Sequence, residues 1–145
     1  MKLKTAAWVI VADGQKHLIF ENRGDPDLID LRVRDVDSIE LDSNTATGTD
    51  RPGRFNIVGN RHIAVEQANR KDLDKARFST HLANEINAAA EAGDLKHFVL
   101  MADPKTISTV RSHLSHKASE RMVREIVGDF TNHSIGQIEK AIGSA

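Results

Sequence analysis

FVLMADP, Phe98 to Pro104, decides the fold. Its first five residues are apolar without a break, so no single face can be assigned to solvent. A strand of this kind is buried on both faces, which puts it in the middle of a sheet. Asp103 then supplies an N-cap, and Pro104 suits the first helical position, where the missing N–H costs nothing. A central strand running straight into a helix implies an α/β domain with helices on the sheet's faces.

Reading towards the N-terminus, Leu73, Ala76, Leu82, Ala83, Ile86, Ala89 and Ala90 recur at three- and four-residue steps. They predict an amphipathic helix from near Asn69 to Gly93, with Leu95 placed for the apolar contact of a glycine-ended helix. Towards the C-terminus, Ile107, Val110 and Leu114 give the helix after Asp103 one apolar edge. Met122 to Val127 (MVREIV) is read as a strand. Ser134 and Gln137 match a capping box for a last helix through Ile142.

The first forty residues carry strand signals. Trp8 to Ala12 (WVIVA) and Lys16 to Glu21 (KHLIFE) flank Asp13-Gly14, a strong hairpin signal. Asn22 to Asp27 is a cluster of turn formers. Leu28 to Leu41 follows as a third strand, half exposed and bulged, because Val36 falls out of step with Leu31 and Val33. Regularity then stops, and a loop is predicted over about residues 43–65, unusually long for a compact domain. The predicted order is β-β-β-α-β-α-β-α, a mixed sheet with helices on its faces, in one domain spanning residues 1–145.

Composition excludes several functions. With no cysteine there is no disulfide, cysteine-based zinc site or thiol nucleophile. A formal net charge of −1 gives no global pull towards nucleic acid or an anionic membrane. Aromatic residues are 4% of the chain, so base stacking is a poor prospect and the core is aliphatic. The start MKLKTAAWVIVADG superficially resembles a signal peptide, but its apolar stretch is short, rich in β-branched residues and ended by a turn. No run approaches the roughly 18 apolar residues of a membrane span. A cytoplasmic location without membrane insertion is therefore the expectation. Nucleotide-binding glycine loops and nucleophile elbows are both absent, and no cofactor is predicted.

The long loop contains the leading candidate site. Arg51, Arg54 and Arg61, with His62, offer forked or planar donors suited to phosphate or carboxylate. Gly48 and Gly53 permit close backbone approach, and Pro52 stiffens the segment. Thr49 and Asp50 complete the stretch, and Arg70 extends it into the helix. The plainer alternative is that Asp50 pairs with Arg51 or Arg54 and pins the loop to its own domain. Arg70, Lys71, Lys75 and Arg77 alternate with Asp72 and Asp74, a pattern typical of a solvated face with local ion pairs.

Asp13 is a second candidate. With Asp35, Asp37 or Asp42 it could belong to a Mg²⁺-dependent nuclease site, although an aspartate before glycine is expected on turn grounds alone. His113 and His116 lie near a helix end without the context of a metal site, and His133 fits a polar turn. His17, His81 and His97 are scattered and support no assignment. No catalytic or metal-binding residue is predicted.

Three stretches carry a resemblance: W-V-x-V-A-D-G (Trp8 to Gly14), G-T-D-R-P-G-R (Gly48 to Arg54) and D-x-T-N-H (Asp129 to His133). In that order they resemble the bacterial host attachment proteins, a family that looks like a distant relative of the middle domain of archaeal and eukaryotic peptide-release factors. The resemblance implies an RNase H-like mixed sheet. In release factors the loop between the third strand and the long helix carries a Gly-Gly-Gln tripeptide that promotes peptidyl-tRNA hydrolysis on the ribosome. Here that slot holds TGTDRPGR, and Gln67, the nearest glutamine, has no Gly-Gly before it. The resemblance therefore implies a non-catalytic binding protein, with ribosome or RNA as the partner. The alternatives are the Asp13 nuclease and a protein-interaction module affecting attachment to host cells. The oligomeric state and any protein partner are left open.

Overall fold

The structure, a computed structural model, describes residues 1–38 and 60–145, the side chains of 60–72 excepted. Five strands form one sheet: β1 (Trp8–Ala12), β2 (Lys16–Asn22), β3 (Leu31–Ser38), β4 (Phe98–Ala102) and β5 (Met122–Val127). The described helices are α1 (Asn60–Ala92), α2 (Pro104–His113), α3 (His116–Arg121) and α4 (Ile135–Ser144). Strand order is β3-β2-β1-β4-β5. The first three strands pair antiparallel, whereas β4 lies parallel to both β1 and β5. The predicted mixed α/β sheet is therefore present.

FVLMA lies between β1 and β5, and all five of its residues are buried. Its side chains alternate between two cores. Phe98, Leu100 and Ala102 join Trp8, Ile10, Leu82, Ile86, Ile107 and Val110 beneath α1 and α2. Val99 and Met101 point the other way, to Leu3, Phe20, Leu31, Ile138 and Ile142, which α4 covers. β1 is buried throughout for the same reason. By contrast β3 is an edge strand, mostly exposed, with a register shift opposite Ile19 and Phe20 that accounts for the broken alternation of its valines.

Local capping agrees with the sequence. Asp103 accepts from the Thr106 N–H at 3.1 Å, and Ser134 and Gln137 form the reciprocal capping box. At the end of α1, Gly93 has φ +83°, with the Gly93 N–H bonded to the Ala90 carbonyl and the Asp94 N–H to that of Ala89. This pair of bonds is the Schellman arrangement. A Cβ on Gly93 would meet nothing within 4 Å, so the cost of a side chain there is purely conformational. Gly93→Ala is expected to lower stability by about 1–2 kcal/mol, read as a lower urea midpoint with unchanged slope.

Four details differ from the sequence reading, the first being that β3 begins at Leu31 rather than Leu28. The helix begins at Asn60, not near Asn69, so residues 60–65 of the predicted loop are helical. No glycine or proline occurs between Asn60 and Ala92, and nothing in the backbone chemistry interrupts the helix there. Leu73 is 49% exposed and Ala76 is also exposed, outside the apolar face expected of them. The 33 residues of α1 span about 50 Å, whereas the five-residue β1 beneath it spans roughly 17 Å. Its first buried side chain among the described residues is Phe78. Finally, α3 was not foreseen; it has six residues, too few for a legible apolar period.

Candidate functional site

The three parallel strands end on the same side of the sheet, and each is followed by an aspartate. Asp13 follows β1, Asp103 follows β4, and Asp129 follows β5 after Gly128. In open α/β sheets the crevice outside the carboxyl ends of the strands is the usual ligand site. A cleft of about 340 Å³ lies here, lined by these aspartates together with Gly14, Lys75, Ser79, Lys105 and Thr106.

Much of the carboxylate capacity serves the backbone. Asp13 Oδ1 accepts from the N–H groups of Gln15 (2.7 Å) and Lys16 (2.8 Å), which fixes the β1–β2 turn. Its Oδ2 faces the Thr131 hydroxyl at 3.1 Å, and Asp129 Oδ1 lies 3.2 Å from the same hydroxyl. One hydroxyl proton thus serves two carboxylates across 118 positions of sequence. Asp103 is occupied by Thr106, through the N–H at 3.1 Å and the hydroxyl at 2.6 Å.

The turn role expected for Asp13 is therefore realised. Among the described residues, the one set of three ligand types close enough to share a metal is His17, Asp37 and Glu85, which does not include Asp13. Asp35 and Asp37 lie on β3, two strands away from β1, and Asp42 lies outside the described residues. Among the described residues, no histidine lines the cleft beside the hydroxyls of Ser79, Thr106 or Thr109. What the site offers is a polar recess with both donors and acceptors.

Lys75, read from the sequence as part of a solvated face, is half-buried. It lines the cleft, and its stem crosses Gly14 so closely that a Cβ on Gly14 would lie 2.6–2.8 Å from three of its carbons. Glycine is required here by contact with a neighbour, not by a left-handed backbone. Gly14→Ala is expected to displace the Lys75 stem and cost about 1–3 kcal/mol, measurable by thermal or urea unfolding. Lys75→Ala, which removes two of the three contacting carbons, should recover part of that loss.

Gly48, Thr49, Asp50, Arg51, Gly53 and Arg54 lie outside the described residues. Arg61, His62 and Arg70 belong to the backbone of α1, and Arg61 and His62 are thus helical rather than in a loop. The cleft was legible only in part. An aspartate just beyond each of these three strands is visible in the sequence, but their convergence depends on β1, β4 and β5 being parallel neighbours.

Two of the three stretches that carried the resemblance meet in this cleft, through Asp13 and Thr131. Residues 6–142 match the family described as bacterial archaeo-eukaryotic release factor family 12. The chain belongs to that family. No curated protein matches it. In this member of the release factor-like family, the contact between Asp13 and Thr131 joins the first strand to the segment before α4. No described helix is long and apolar enough to cross a membrane.

Proposed function

We propose that this chain is a non-catalytic, ribosome-associated binding protein of the cell interior. Its contact surface comprises Gly48, Thr49, Asp50, Arg51, Gly53 and Arg54, together with Arg61, His62 and Arg70 at the start of α1. Membership of a release factor-like family supports ribosomal RNA as the partner. The strand order, with an antiparallel β1–β3 unit and parallel β4 and β5, is compatible with the RNase H-like sheet that the resemblance implies.

The observation that carries the reading is the length of α1. At 33 residues α1 runs about 50 Å, and its first turn follows directly on the arginine-bearing segment in the chain. A long helix suits the presentation of such a segment to a phosphate-lined site. Peptidyl-tRNA hydrolysis is not part of the proposal, because the segment contains no Gly-Gly-Gln. Any influence on attachment to host cells is then indirect.

The test is co-sedimentation of the purified chain with bacterial ribosomes at low and moderate salt. The chain should be recovered with ribosomes at low salt and progressively released as salt rises. Complete retention in the supernatant at low salt would contradict the proposal.

A further inference from the structure

We propose that His17, Asp37 and Glu85 bind a divalent cation of the zinc type, clipping the β2–β3 edge of the sheet to α1. His17 occupies an inward-facing position on β2, two residues from buried Ile19. It is fully buried, yet neither ring nitrogen has a hydrogen-bond partner among the described residues. The ring stacks on Phe78, with centroids 5.4 Å apart, which satisfies its face and leaves its nitrogens unpaired. A buried polar group without a partner is costly, and its persistence calls for an explanation.

The surroundings of Nε2 supply one. Glu85 Oε2 lies 3.5 Å away and Asp35 Oδ2 3.6 Å away. These separations are too long for a good hydrogen bond. They are close to the roughly 3.3–3.4 Å between neighbouring ligands of a tetrahedral zinc, given metal–ligand bonds of about 2.0–2.1 Å. Asp37 is the direct cross-strand partner of His17, so its carboxylate stands on the same face of the sheet. One ligand atom from each of His17, Asp37 and Glu85 falls within 4.8 Å of the others.

Charge and orientation agree. Two carboxylates neutralise a divalent cation, and an imidazole ligand favours zinc-like metals over Mg²⁺ or Ca²⁺, which prefer oxygen alone. The second oxygen of Glu85 lies 3.1 Å from His81 Nε2, one helical turn away. Such an outer partner orients a ligating carboxylate. Asp35 or water would complete the coordination. The cation would tie β3, at its next-to-last residue, to the long helix that follows it in the chain. This inference is independent of ribosome binding.

The test uses the full chain, freed of metal with a chelator and titrated with ZnCl₂ by calorimetry. One equivalent of zinc is expected, with a higher melting temperature and no competition from millimolar Mg²⁺. Co²⁺ should give the intense visible absorption of a tetrahedral site. Asp37→Asn and Glu85→Gln should each weaken zinc binding more than about tenfold while retaining the native circular dichroism. Should Glu85→Gln fail to fold, Asp37→Asn on the edge strand decides the question alone. Absence of stoichiometric binding, or wild-type zinc affinity in a folded Asp37→Asn variant, would overturn the proposal; the latter would place the metal on surface histidines such as His113 and His116.

Discussion

Phe98→Ala is expected to destabilise the chain by about 3–5 kcal/mol, a large share of the roughly 5–15 kcal/mol that holds an ordinary domain folded. Phe98 is fully buried, at the start of the central strand, in the core that α1 and α2 cover. Truncation removes the transfer energy of the ring and leaves a cavity between elements held from both sides, which cannot collapse freely. Val36→Ala provides the contrast. Val36 lies on the edge strand β3 and is 53% exposed, so its loss should stay within about 0.5 kcal/mol. Urea denaturation of the two variants measures the difference. Equal midpoints would contradict the central placement of β4.

The second large effect concerns binding. Arg51→Ala, Arg54→Ala and Arg61→Ala together should weaken ribosome association by about tenfold or more at low salt. If each arginine neutralises one phosphate, their removal should also lower the salt slope of the logarithm of affinity by about two to three. The control removes as much charge elsewhere: Arg23, Arg32 and Arg34, on or beside β2 and β3, have side chains 66%, 69% and 40% exposed. Their triple alanine variant should bind nearly as wild type does. An equal loss in both variants would reduce the interaction to non-specific charge attraction.

How much of this was legible in the sequence depends on how local the determining physics is. WVIVA, FVLMA and MVREIV are strands within the bounds read from sequence; for the first two, burial on both faces writes itself into the residues of the strand. Asp103, Ser134 and Gly93 terminate helices as expected, since caps act within one turn. The helix start at Asn60 carries no local cap signal that the sequence reading used, and the exposed Leu73 and Ala76 imitated an apolar stripe starting later. His17 gave no signal as a single residue. Its interest arises only when Asp37 across the ladder and Glu85 on α1 come to face it. The cleft is similar, since Asp13 and Thr131 become neighbours only through the topology of the sheet.

The central claim is that the segment between β3 and α1 makes the ribosomal contact. A photo-crosslinking side chain at position 49, with a second chain labelled at Lys140 on α4 as reference, tests it most directly. Irradiation with ribosomes should yield ribosomal RNA adducts from position 49 and few or none from position 140. Absence of RNA adducts from position 49, or equal yields from the two positions, would contradict the account.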